Sequence, residues 1–123
     1  DQLNFVLIGD MAFFYDRNGL WHDIDSGNLR IILLNNHGGG IFRMIDGPSR
    51  QPELKEFFET DQKLNAQNTS ADFDLDYYFC NDINALKLNF QKLLVDDGKS
   101  KILEIETDSQ INKTIFDKYT SQF

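Results

Sequence analysis

The stretch "RIILLNNHGGGIF" runs from Arg30 to Phe42, and its reading decides the fold. Four consecutive apolar residues, Ile31 to Leu34, fit a strand covered on both faces in a parallel sheet. Packing does not explain the next six residues. They are two amides, a histidine and three glycines, and glycines in a row forfeit side-chain contacts and carry an entropic cost on ordering. Something needs close access to that backbone.

Working outward, "LNFVLI" from Leu3 to Ile8 is a second nearly continuous apolar run. "KILEIETD", Lys101 to Asp108, alternates more, the pattern of a strand nearer an edge, and "DYYFC", Asp76 to Cys80, is a weaker strand. Helical stretches lie between them. "MAFFYDRNGLWHDI" spaces Phe13, Phe14 and Trp21 for one buried face, and "PELKEFFE" starts at Pro52 with Leu54, Phe57 and Phe58 on one side. "NDINALKLNFQKLLVDDG" has Asp82 as N-cap, an apolar set of Ile83, Leu86, Phe90, Leu93 and Leu94, and Gly98 as a stop. A last helix, "SQINKTIFDKYTSQF", carries Ile111, Ile115, Phe116 and Tyr119, while "TDQKLNAQNTSAD" reads as a loop with one short helix. Strands alternating with helices imply right-handed crossovers and an α/β three-layer sandwich with a mostly parallel sheet.

Length makes residues 1–123 a single domain, short for a complete two-substrate enzyme, so the expectation is a fragment of a larger chain, opening inside it at Asp1. Twenty acidic residues against twelve basic give a formal charge of -8, which argues against nucleic acid and against an anionic membrane surface. One cysteine, Cys80, cannot form an internal disulfide and fits a reducing compartment. No apolar run reaches the roughly 20 residues of a membrane span, so the expected location is the cytoplasm.

In an open parallel sheet, ligands sit beyond the carboxyl ends of the strands. The first strand ends in "IGD", placing Asp10 at the head of a helix, and the second ends in "NNHGGG", placing Asn36 and glycine backbone at the same rim. A carboxylate, an amide oxygen and a glycine carbonyl are hard ligands of the kind magnesium uses while it also holds a substrate's phosphates. The plainer reading makes Asp10 an N-cap and "NNHG" an ordinary turn. It is the pairing of the two strand ends that favours the metal.

A glycine-aspartate pair closing one strand, with a second strand closing in Asn-Asn about two dozen residues on, resembles the diphosphate-binding motif of thiamine diphosphate enzymes. More narrowly, "GDMAFFYDRNGL" and "LNNHGGGIF" resemble the C-terminal cofactor domain of the 2-succinyl-5-enolpyruvyl-6-hydroxy-3-cyclohexene-1-carboxylate synthase family. The resemblance implies that Asp10 and Asn36 coordinate Mg²⁺ through their side chains and Gly38 through its carbonyl. It further implies that Gly9, Met11 and Ala12 meet the diphosphate, that Ile41 and Phe42 wall the thiazolium and second substrate, and that thiamine diphosphate is the cofactor. The family decarboxylates 2-oxoglutarate and adds the product carbanion to isochorismate in menaquinone biosynthesis. Its activating glutamate belongs to an N-terminal pyrimidine-binding domain of a second subunit, in a homodimer or homotetramer. That domain and the central one are absent from these residues, so the chain alone is expected to be inactive and truncated at its N-terminus.

Met11 stands where the general motif has glycine, Ala12 where serine is common, and "HDIDSGN" makes the interval to the asparagines short. None of these removes a metal ligand. Arg43 and Arg50 flank the glycine turn, and Arg43 is the better candidate to grip a substrate carboxylate. His37 reads as a turn residue, His22 as helix surface, and Cys80 as a small core side chain. Asp16 and Asn18 either support the metal loop or face water. The alternatives are another thiamine diphosphate-dependent decarboxylase or synthase, and a phospho-receiver-like Mg²⁺-binding signalling domain.

Overall fold

Four strands, β1 (Asn4–Gly9), β2 (Leu29–Asn35), β3 (Asp76–Cys80) and β4 (Lys101–Glu106), pair in parallel in the order β1-β2-β4-β3. The computed structural model describes residues 2–22, 27–45, 47–53, 56 and 59–123. It divides into one unit of Asp1–Asn35 with Asn65–Glu106, and another of Asn36–Leu64 with Thr107–Phe123.

The first unit holds the whole sheet together with α1 (Asp10–Asp16), a 3₁₀ turn at Arg17–Trp21, α3 (Gln67–Asp72) and α4 (Ile83–Leu93). Alternation along the strands splits the core in two. On one face Phe13 of α1 and Ala66 pack with Ile31, Leu33 and Ile102. On the other, Leu93 of α4 packs with Cys80 and Leu103, and Ile32, Tyr78, Leu86 and Ile105 close around them. Each fully buried aliphatic side chain contributes about 1.5–3 kcal/mol. The connection β1–α1–β2 travels one way along the sheet with its helix on the first face. β3–α4–β4 travels the opposite way with its helix on the second, as a single crossover hand requires. These are the three layers that the alternation of strands and helices implies.

The strand assigned to an edge is in fact central. β4 lies between β2 and β3, and its first four residues are buried. Its alternation comes from two charges that go inside with partners: Lys101 Nζ reaches Asp97 Oδ2 at 2.7 Å and Glu104 accepts three hydrogen bonds. Conversely, β1, whose continuous apolar run suggests cover on both faces, is an edge strand, exposed along most of its length.

Helix ends follow local chemistry. Asp82 caps α4 by accepting from Asn84 N and Ala85 N at 2.8 and 2.9 Å, and Gly98 takes φ 76° in the turn beyond it. Among that helix's expected apolar set, Leu93 is buried and Leu86 half-buried, while Ile83, Phe90 and Leu94 stay exposed. α1 ends at Asp16 and continues as the 3₁₀ turn, which leaves Trp21 in solvent, stacked on His22, instead of on the buried face with Phe13. The polar stretch forms a loop and the short α3, as its composition suggests.

The second unit contains α2 (Ile41–Met44), a 3₁₀ turn at Pro48–Arg50 and α5 (Ser109–Thr120), capped by Asp108 through Gln110 N and Ile111 N. The helix expected over Pro52–Glu59 has Leu54, Phe57 and Phe58 outside the described residues. No described helix is long and apolar enough to cross a membrane.

Candidate functional site

All four strands run in one direction, so their carboxyl ends share one edge of the sheet. Gly9 stands opposite Leu34, and the next residues of the two segments, Asp10 and Asn35, reach that edge together. Gly9, with φ -82° and ψ 160°, is the residue before α1, and nothing lies within 4 Å of where its Cβ would be. Asp10 is buried as the first residue inside the helix, so the cap position belongs to Gly9 and Asp10 is not an N-cap. Met11 is half-buried, Ala12 is exposed, and no described side chain caps the helix.

Asn35 turns inward. Its Nδ2 donates to Glu104 Oε1 at 2.7 Å, while Ala66 N and the Tyr77 hydroxyl donate to Oε2 at 2.8 and 2.6 Å. Glu104 is fully buried, and its carboxylate is held by three uncharged donors from three segments. Tyr77 is pushed above the usual phenol range, first by burial and then by its hydrogen bond to Glu104. Burial also raises the Cys80 thiol, whose Sγ lies 3.5 Å from the Glu104 carbonyl.

In the second unit, Asn36 opens a tight loop. His37 adopts φ 61°, Gly40 N donates to Gly38 O at 2.9 Å, and Phe42 N and Arg43 N donate to Gly39 O and Gly40 O as α2 begins. Two of the three glycines have a packing reason here. A Cβ on Gly40 would stand 2.5 Å from Asn36 Nδ2, and one on Gly38 would stand 3.1 Å from the Thr60 carbonyl. A side chain at Gly40 would displace the Asn36 amide and one at Gly38 would crowd the Thr60 carbonyl, so the loop's own packing favours both glycines, whatever else approaches it. Asn36 Oδ1 is buried and receives no hydrogen bond from any described residue.

That loop lines a cavity of 260 Å³ with Arg43, Glu59, Asp61 and Asp108. Arg43 grips the buried Glu59 as a fork, Nε toward Oε1 and Nη2 toward Oε2 at 2.6 Å. Its guanidinium is therefore engaged within the chain. Ile41 is exposed and Phe42 half-buried, and no group of three or more His, Cys, Asp or Glu forms a metal cluster among the described residues. Periodicity misses Glu59 and Glu104, because their partners lie 16 and up to 69 residues away. A glutamate in the middle of an apolar strand is the available signal for the second.

No protein-family model matches the chain. Over 118 residues, 96% of its length, it is 49% identical to the 2-succinyl-5-enolpyruvyl-6-hydroxy-3-cyclohexene-1-carboxylate synthase of Cytophaga hutchinsonii. Synthases of the same name from Christiangramia forsetii and Desulfitobacterium hafniense are 36% and 37% identical over 93% and 94% of it. The chain belongs to this synthase family. It spans about a fifth of the length of the curated relatives it matches, 21%, 20% and 21% respectively. Membership sets aside the phospho-receiver alternative.

Proposed function

We propose that this chain is the cofactor-binding segment of a Mg²⁺- and thiamine diphosphate-dependent synthase, with the Asn36 side-chain oxygen and the Gly38 carbonyl as ligands of the cation. The observation that carries this reading is the buried Asn36 Oδ1, which has no hydrogen-bond partner among the described residues. An amide oxygen shut away from water without a donor costs about 1–3 kcal/mol, and a hard divalent ion is a fitting occupant. Asp61 and Asp108 on the same cavity add negative charge that favours a cation. Gly38 O accepts from Gly40 N, which fixes its direction, and a carbonyl oxygen carries two lone pairs. Asp10 is assigned as the acidic ligand from the family resemblance alone.

When bound, thiamine diphosphate supplies the electron sink for decarboxylating 2-oxoglutarate and joining the remainder to isochorismate. This segment's own work is placement. The uncapped first turn after Gly9 presents the backbone of Met11 and Ala12 to the diphosphate, and Ile41 and Phe42 supply apolar surface that keeps water from the reacting end. Arg43, held by Glu59, shapes the cavity wall and meets a substrate carboxylate only through donors left outside that fork. The activating glutamate belongs to a part of the longer protein outside this segment, contributed by a second subunit of a homodimer or homotetramer in the cytoplasm. This segment by itself is accordingly inactive.

The test is a Mg²⁺ titration, with thiamine diphosphate present, of the full-length synthase bearing this segment. Asn36→Ala and Asp10→Ala are each expected to weaken the ion by at least about tenfold, roughly 1.4 kcal/mol. Unchanged affinity in Asn36→Ala would remove the assignment.

A further inference from the structure

Glu104 stands opposite Leu33 in the register of β2 and β4, and so shares a face with Asn35, the last residue of β2. The same face carries the apolar cluster of Phe13, Ile31, Leu33, Ala66 and Ile102. Glu104 is fully buried, and no described lysine, arginine or histidine makes an ion pair with it. A buried carboxylate without a countercharge is costly, and glutamine would have nearly the same outline at less cost. What glutamine lacks is a second acceptor. Oε2 of Glu104 takes both Ala66 N and the Tyr77 hydroxyl, at 2.8 and 2.6 Å, while Oε1 takes the Asn35 amide at 2.7 Å. A single amide oxygen, with its two lone pairs, could serve the first two donors. Only the bond to Asn35 requires the other oxygen of a carboxylate.

We propose that Glu104 is a positioning residue for the cation, acting through Asn35 on Asn36. A carboxylate only accepts hydrogen bonds, so it dictates that the Asn35 amide turns its nitrogen inward. The end of β2 is thereby fixed in rotation as well as in place, and Asn36 is bonded directly to it. With glutamine at position 104, either two donors meet or the Asn35 amide turns over, and in both cases the strand end loses its single setting. Groups that orient metal ligands from behind carry a substantial share of the affinity. The inference rests on the reading of Asn36 as a ligand, and it reaches beyond the sheet only through the peptide bond from Asn35 to Asn36.

The experiment is a calorimetric Mg²⁺ titration, with thiamine diphosphate present, of the full-length synthase bearing this segment, beside urea unfolding of the same variants. Asn35→Ala and Glu104→Gln are each expected to weaken Mg²⁺ by about three- to tenfold, and the double variant by no more than the stronger single, because both remove one contact. Loss of a nearby negative charge would act only in Glu104→Gln, so Asn35→Ala separates geometry from charge. Tyr77→Phe removes a bond to the other oxygen of the same carboxylate. It is expected to lower the urea midpoint and to leave Mg²⁺ affinity within about twofold. An effect of Tyr77→Phe on the ion as large as that of Asn35→Ala would make Glu104 a purely structural residue and overturn the proposal. So would unchanged affinity in either Asn35→Ala or Glu104→Gln when Asn36→Ala weakens the ion, a result that spares the metal site. Unchanged affinity in Asn36→Ala would remove the metal reading, and this inference with it.

Discussion

Asn36 offers a substitution whose two consequences point in opposite directions. Its Oδ1 is buried without a donor among the described residues, and its Nδ2 lies so close to Gly40 that a Cβ there would stand 2.5 Å away. Leucine has nearly the same branched outline as asparagine and no polar atoms. Asn36→Leu therefore removes an unpaired buried oxygen at little change in shape, relieving a cost of about 1–3 kcal/mol. The tight fit over Gly40 takes back part of that gain, as overfilled sites do. A net stabilisation of about 1–2 kcal/mol remains, which for a domain of this size raises the melting temperature by roughly 3–8 °C. The assay is urea and thermal unfolding of the chain in EDTA, where no divalent ion can satisfy the oxygen. Asn36→Leu should unfold later than the wild type in EDTA, and the same substitution in the full-length synthase should abolish its stabilisation by Mg²⁺ with thiamine diphosphate. A residue kept only for packing would not show that opposition. If Asn36→Leu is instead less stable in EDTA by about 1 kcal/mol or more, the oxygen is already satisfied without a cation, and the proposed metal site loses its support.

Two further outcomes concern the frame that carries the site. Arg30 is fully buried and donates to five carbonyls, those of Leu93, Gly27, Leu29, Lys99 and Val95, at 2.6 to 3.1 Å; Arg30→Lys keeps the charge but loses the fork, and should cost about 3 kcal/mol by urea unfolding, whereas a loss under about 0.5 kcal/mol would deny the clamp. Tyr77 and Cys80 both titrate above their ordinary values of 10.0 and 9.0 because burial disfavours their anions. The unfolded chain therefore loses these protons first, so stability present below about pH 9 should decline as pH rises through about 9 and beyond about 10. Tyr77→Phe should make that decline shallower, and a urea midpoint that stays flat up to about pH 11 would contradict the burial of both groups.

How much of this fold the sequence discloses depends on whether a signal is local. β3 spans the residues that its aromatic pattern marks, and α4 begins at the expected Asp82 cap, since both are decided within a few residues. Position within the sheet is different in kind. β1 and β2 look alike as apolar runs, yet one is an edge and the other internal, and nothing along either strand records its neighbours. β4 misleads for the converse reason. Alternation ordinarily signals solvent on one face, but Lys101 and Glu104 are polar residues paired inside. A buried charge and an exposed one read identically until the partner is known.

The candidate site shows the same division, with one exception. "NNHGGG" reads as backbone opened for a ligand, whereas two of its three glycines are also favoured by the chain itself, Gly40 by the Asn36 amide and Gly38 by the Thr60 carbonyl. The two accounts are compatible only because of what the packing achieves. The Asn36 amide packs closely over a residue with no Cβ, while its oxygen is left without a donor among the described residues. An oxygen held rigidly in that state loses little conformational freedom when an ion arrives, and it has no hydrogen bond to give up. On the proposed reading, Gly40 would serve the cation indirectly, by holding the amide group that would meet it. Asn35 has the opposite assignment: its amide is committed to Glu104, so the two adjacent asparagines divide anchoring and display between them. A pair of identical residues carries no hint of which does which, and only the placement of Glu104, 69 residues further along the chain, tells them apart.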